Sequence, residues 1–87
     1  MSADPRIEEL RDRISELDRT ILDAVNERIE LVASLKPIKE ELGLDFFDPG
    51  REQRMLEDLR SANGGPLSDG GVERLLGALL ELTRSEL

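Results

Sequence analysis

Residues 7–42 read IEELRDRISELDRTILDAVNERIELVASLKPIKEEL, and this stretch decides the fold. Apolar side chains recur at Ile7, Leu10, Ile14, Leu17, Ile21 and Ala24, then at Leu31, Leu35, Ile38 and Leu42. That three-and-four spacing is one face of a helix, and Leu22, Val25, Ile29 and Val32 widen the stripe. Asp4 is placed to cap the N-terminus with Pro5 at the first helical position, and Gly43 to end the helix. The spacing therefore predicts a helix over about 5–42, roughly 57 Å long, and a helix of that length cannot cover its own apolar face. Pro37 lies inside it, where it removes one backbone hydrogen bond and crowds the carbonyl of Ala33, at a cost of about 3 kcal/mol. The helix either kinks there or stops early; because the pattern resumes at Ile38 and Leu42, a kink is expected.

Outward from this helix, Gly43 to Phe47 reads as a turn. Asp48-Pro49 repeats the cap-then-proline signal and opens a second helix running to about Ser61, with Met55, Leu56 and Leu59 on its apolar face. Ala62-Asn63-Gly64-Gly65-Pro66 is a breaker-rich connection. Ser68 or Asp69 is then placed to cap a third helix carrying Val72, Leu75, Leu76, Leu79, Leu80 and Leu82, whose first turn the pair Gly70-Gly71 weakens. The expected architecture is all-α: one domain over 1–87, with one long and two shorter helices and no strand pattern or repeat.

With 87 residues and no cysteine, the chain sits near the size at which a lone core becomes marginal, and no disulfide can staple it. With no histidine either, only carboxylates remain as metal ligands, and no metal or cofactor is expected. Oligomerisation is the remaining support. The formal charge of -8 repels nucleic acid and anionic membranes, and Phe46 and Phe47 alone make no base-stacking platform. Met1-Ser2-Ala3-Asp4-Pro5-Arg6 has no apolar signal region, and no run approaches about 18 apolar residues, so the expectation is a cytoplasmic protein.

In so acidic a chain, an anionic ligand requires a local cluster of cations. Arg28 stands on the apolar seam, where its guanidinium needs an anion, either a carboxylate across a helical interface or a bound ligand. Arg11 and Lys39 flank the seam one step beyond Leu10 and Ile38. Along a straight helix Lys39 lies roughly 16 Å from Arg28 and roughly 42 Å from Arg11. All three meet only if a second chain supplies one of them. Arg51 and Glu52, in the first turn of helix two, are turned back by the short connection toward Lys39 and Arg28.

The strings Leu10-Arg11-Asp12-Arg13-Ile14, Leu17-Asp18, Glu27-Arg28, the Lys39 position and Phe47-Asp48-Pro49-Gly50-Arg51-Glu52 together resemble the all-helical chorismate mutases, from about residue 6 to the C-terminus. The resemblance implies an intertwined homodimer of three-helix protomers with two sites, each taking Arg11 from the partner. It implies that Arg28 clamps a substrate carboxylate and that Lys39 touches the enolpyruvyl ether oxygen and a carboxylate. Arg51 then supports the electrostatics, Glu52 with the backbone near Asp48 holds the ring hydroxyl, and Thr83 stands where the family has a carboxylate-binding Ser. Conversion of chorismate to prephenate is a one-substrate pericyclic rearrangement that needs no nucleophile, proton transfer or cofactor, so a chain without His or Cys is equipped for it.

Two positions depart from the family pattern. Leu87 stands where a Gln or Glu normally donates to the ether oxygen, so that wall is incomplete, rebuilt by Glu86 or Arg84, or finished by residues beyond it. Pro37 lies two residues before Lys39 and is placed to tilt it. Both fall on the ether-oxygen side, so the expectation is a modest catalyst in phenylalanine and tyrosine synthesis, helped by an activating shikimate-pathway enzyme. Two alternatives keep the fold: a mutase or lyase acting on 4-amino-4-deoxychorismate or isochorismate, and a weakly active helical regulatory module that docks a shikimate-pathway enzyme.

Overall fold

The computed structural model describes residues 4–87 as three helices, α1 (Pro5–Glu41), α2 (Pro49–Ala62) and α3 (Asp69–Glu86), with no strand among them. The first three residues of the N-terminal reading lie outside the described residues. Each expected cap is made. Asp4 accepts from the Arg6 amide at 2.9 Å, and the Arg6 guanidinium beside it holds its carboxyl below the ordinary carboxylate range. Asp48 accepts from the Arg51 amide at 3.1 Å. Ser68, rather than Asp69, caps α3, accepting from the Gly71 amide at 3.0 Å.

The end of α1 is fixed by a glycine in the left-handed region, Gly43 at φ 68°. The Gly43 amide donates to Glu40 O at 3.2 Å and the Leu44 amide to Lys39 O at 2.8 Å, the paired bonds of a Schellman ending. Gly43 thus follows the capping residue, Leu42, and the helix ends one residue earlier than the periodicity suggested. Of the two readings of Pro37, an early stop is excluded, since α1 runs through it to Glu41.

α3 packs against both other helices, and there the small core lies: Val72 and Leu76 are its buried apolar side chains, at 3% and 5% exposure. Of the pair Gly70-Gly71, the second has a packing role that the sequence did not indicate. Gly71 is buried because Leu67 folds over it; a Cβ there would stand 2.9 Å from Leu67 Cγ and closer still to Cδ1.

No residue of α1 is buried. Its covered face runs through Val25, Arg28, Ile29, Val32 and Lys39, while Leu10, Ile14, Leu17 and Ile21 are between 56% and 61% exposed. The N-terminal half of the helix carries a continuous apolar stripe that the rest of the described residues leave uncovered. The molecule measures 59 × 24 × 18 Å, with a radius of gyration of 17.1 Å. A compact domain of this length has about 12 Å. No helix of the described residues is long and apolar enough to cross a membrane.

The two glycines of α3 are expected to respond oppositely in thermal melts. Gly70→Ala, whose Cβ meets only ordinary contacts, should raise stability by up to about 1 kcal/mol. Gly71→Ala should lower it by about 1 to 3 kcal/mol, because Leu67 must be displaced.

Candidate active site

The spacing of Arg28, Val32, Leu35 and Lys39, alternately four and three residues apart, sets them on one face of α1. That face forms one wall of an open cleft. The turn and the first two turns of α2 supply Phe46, Phe47, Asp48, Arg51, Glu52 and Met55, and the last turns of α3 supply Leu80, Thr83 and Arg84. The Schellman ending sends the chain back, and the Asp48 cap starts α2 where its first turn faces Lys39. Six of the sequence-predicted residues therefore meet: Arg28, Lys39, Asp48, Arg51, Glu52 and Thr83.

Arg28 and Thr83 join α1 to α3. Arg28 Nη1 donates to Thr83 Oγ1 at 2.7 Å, and the Thr83 hydroxyl donates in turn to Leu79 O at 2.7 Å. Thr83 is 6% exposed, so its hydroxyl is held in one rotamer with both its partners fixed. Of the two readings of Arg28, a carboxylate partner within this chain is not found among the described residues; the seam guanidinium reaches a neutral hydroxyl. Lys39 Nζ makes a long 3.4 Å contact with Phe46 O and lies 5.9 Å from the centre of the Phe46 ring. The side chain of Arg51 has no ion-pair partner among the described residues.

This sets the cleft apart electrostatically. Outside the cleft Arg6, Arg11 and Arg60 pair with Asp4, Glu8 and Glu73, and Arg54 reaches the cleft's Asp48 at 4.0 Å. Inside the cleft, Arg28, Lys39 and Arg51 converge without a carboxylate of their own. Its two acids are engaged: Asp48 with its cap, Glu52 with Arg84 at 2.9 Å. The arrangement can hold an anion with more than one negative group, through forked guanidinium donors and a point-charge ammonium.

Two predicted residues stand outside. Arg11 lies on the uncovered half of α1, roughly 25 Å from Arg28 along the helix, in a 3.7 Å pair with Glu8. Leu87 is 43% exposed and takes no part in the cleft, nor does Glu86. Arg84 does enter it, but it is turned to Glu52 rather than free for an ether oxygen. The sequence reading placed Phe46 and Phe47 only in a turn; they stack edge to face, ring centres 5.7 Å apart, and floor the cleft beside Lys39 and Arg84. Adjacent aromatics in an otherwise aromatic-free chain were the signal for them.

The sequence model of the chorismate mutase type II family matches residues 10–86. The chain belongs to this family. It is 41% identical over 51 residues to the T-protein of Enterobacter agglomerans, covering 59% of this chain and 14% of that protein. It is 34% identical over 55 residues to the chorismate mutase of Methanocaldococcus jannaschii, covering 63% of this chain and 56% of that one. It thus spans about half, or much less, of the length of these curated relatives. Among solved structures it is similar to chorismate mutase from Thermus thermophilus in two forms. Form I gives a TM-score of 0.86 at 35% identity over 90% of this chain and 98% of that one. Form II gives 0.87 at 34% identity over 92% and 91%. The all-helical fold expected from the heptad pattern is the fold of this family.

Thr83→Val keeps the shape of the side chain but removes both its bonds, and should lower stability by about 1 to 2 kcal/mol in denaturant titration. Thr83→Ser should recover most of that loss.

Proposed function

We propose that this chain, as one domain over 1–87, is a chorismate mutase of the cytoplasm, converting chorismate to prephenate for aromatic amino acid synthesis. The observation that carries the reading is the convergence of Arg28, Lys39 and Arg51, each without a carboxylate partner, in one cleft of a chain whose net charge is -8. Such a cluster is electrostatically unfavourable when empty and is relieved by a dianion. The substrate has two carboxylates, and its rearrangement shifts negative charge onto an ether oxygen as the C–O bond breaks.

Arg28, steadied by Thr83, clamps one carboxylate. Lys39, whose Nζ faces the cleft from the last turn of α1, stabilises the ether oxygen as charge develops there. Arg51 makes the potential more positive on the same side, and Glu52 accepts a hydrogen bond from the ring hydroxyl. No proton moves between substrate and protein. The work of the site is to hold a flexible molecule folded with its reacting carbons in contact, and to present fixed donors where charge accumulates.

The second carboxylate needs one more cation, and the uncovered stripe of α1 carries it. A second copy packed along Ile7, Leu10, Ile14, Leu17 and Ile21 buries that stripe and brings its Arg11 to the far side of the cleft. An isologous pairing does this twice, making two sites per homodimer. Leu87, outside the cleft, supplies no donor to the ether oxygen. That supports a modest rate for the chain alone, one that a shikimate-pathway enzyme docked on it raises.

Purified protein should consume chorismate, followed by loss of its absorbance, and yield prephenate. No turnover at high enzyme concentration over the neutral pH range would overturn the reading. Lys39→Ala should lower kcat by about a hundredfold to a thousandfold, the usual cost of one preorganised donor.

A further inference from the structure

Arg84 is the one cleft cation that is already paired, and neither the pattern of unpaired cations nor the clamp on the carboxylates uses it. It projects from the last turn of α3, where a cation is favoured by the helix dipole, onto Glu52 in the first turn of α2, where an anion is favoured. Its Nη2 lies 2.9 Å from Glu52 Oε1, and its guanidinium carbon lies 5.1 Å from the centre of the Phe47 ring. Phe47 holds one side of the guanidinium and Glu52 its edge. The pair engages Oε1 of Glu52, a residue that lines the cleft, and Oε2 has no hydrogen-bond partner among the described residues. Both side chains are more than a third exposed, at 44% and 35%, so the pair contributes little to stability and its consequence lies in what it does to Glu52.

A lone carboxylate facing a ring substituent attracts an ammonium more strongly than a hydroxyl. A carboxylate sharing its charge with a guanidinium does not: it still accepts a hydrogen bond through Oε2, but the nearby cation repels a second positive group. We infer that Arg84 is a specificity-determining, positioning residue, which fixes Glu52 in place and sets the cleft to take a ring hydroxyl and reject a ring ammonium. This rests on the function proposed above and deepens it: of the ring-substituted relatives of chorismate, the amine-bearing 4-amino-4-deoxychorismate, protonated at neutral pH, is the compound excluded.

The test compares kcat/KM for chorismate and for 4-amino-4-deoxychorismate in the wild-type chain, Arg84→Met, Arg84→Lys and Glu52→Gln. Arg84→Met should raise KM for chorismate more than it lowers kcat, and should reduce the preference for chorismate over the amine by about tenfold, the scale of a screened like-charge contact. Arg84→Lys, which keeps the charge, should restore most of that preference. In the Glu52→Gln background, Arg84→Met should change the preference by clearly less than it does with Glu52 present, since the charge shared between the two residues is already gone and only the direct repulsion by Arg84 is left to lose. A preference that ignores Arg84, or that shifts equally with Glu52 absent, overturns the inference while leaving the function intact. A wild-type chain inactive on both compounds overturns the function itself and this inference with it.

Discussion

α1 is longer than the rest of its chain can cover, and the other features of the molecule depend on that mismatch. The turn, α2 and α3 fold back over its C-terminal half only, burying little more than Val72, Leu76, Gly71 and Thr83. Leu10, Ile14, Leu17 and Ile21 remain more than half exposed. Two buried apolar side chains do not offset the entropy of ordering a chain of 87 residues. The same length that leaves the apolar stripe bare also carries Arg11 far from Arg28 and Lys39. Burying the stripe and completing the cation set are thus one requirement, which the homodimer proposed above would meet.

Within the half that is covered, three local devices aim the site. The left-handed Gly43 stops α1 just beyond Lys39, the Asp48 cap starts α2 with Arg51 and Glu52 in its first turn, and the buried Thr83 hydroxyl ties Arg28 to α3. None of these holds charge against charge. Arg28, Lys39 and Arg51 are left without carboxylates in a chain with 20 acidic side chains, while acids elsewhere pair freely with surface arginines. An acidic surface around a small cationic cleft disfavours adventitious polyanions. The Glu52–Arg84 pair adds a balanced acid to the same cleft as the unpaired cations.

Much of this was legible in the sequence, because the signals were local. Cap-then-proline at Asp4-Pro5 and Asp48-Pro49, glycine after Leu42, and a three-and-four apolar rhythm each specify backbone geometry within a few residues, and all three helices fall within a residue or so of where they were expected. The seam arginine and the Asp48 to Glu52 string carried the site for the same reason. What local pattern could not carry was pairing between helices. Gly71 is packed under Leu67, a contact that the glycine pair alone does not signal. Arg84 looked like a spare donor for the ether oxygen, and its partner, Glu52, lies 32 residues away. The covered face of α1 was likewise shifted from the heptad seam toward Val25, Ile29 and Val32, because α3 approaches from that side.

The central claim is that each site is built from two chains, Arg28 of one and Arg11 of the other, and subunit mixing tests it most directly. Arg11→Ala and Arg28→Ala are each made alone, then combined so that mixed dimers form. A mixed dimer has one site lacking both arginines and one site with both. The expected result is two nearly inactive parents and a mixture that recovers about a quarter of wild-type chorismate turnover, as random pairing of two-fold dimers requires. A mixture that stays as inactive as its parents, although mixed dimers are present, would contradict it.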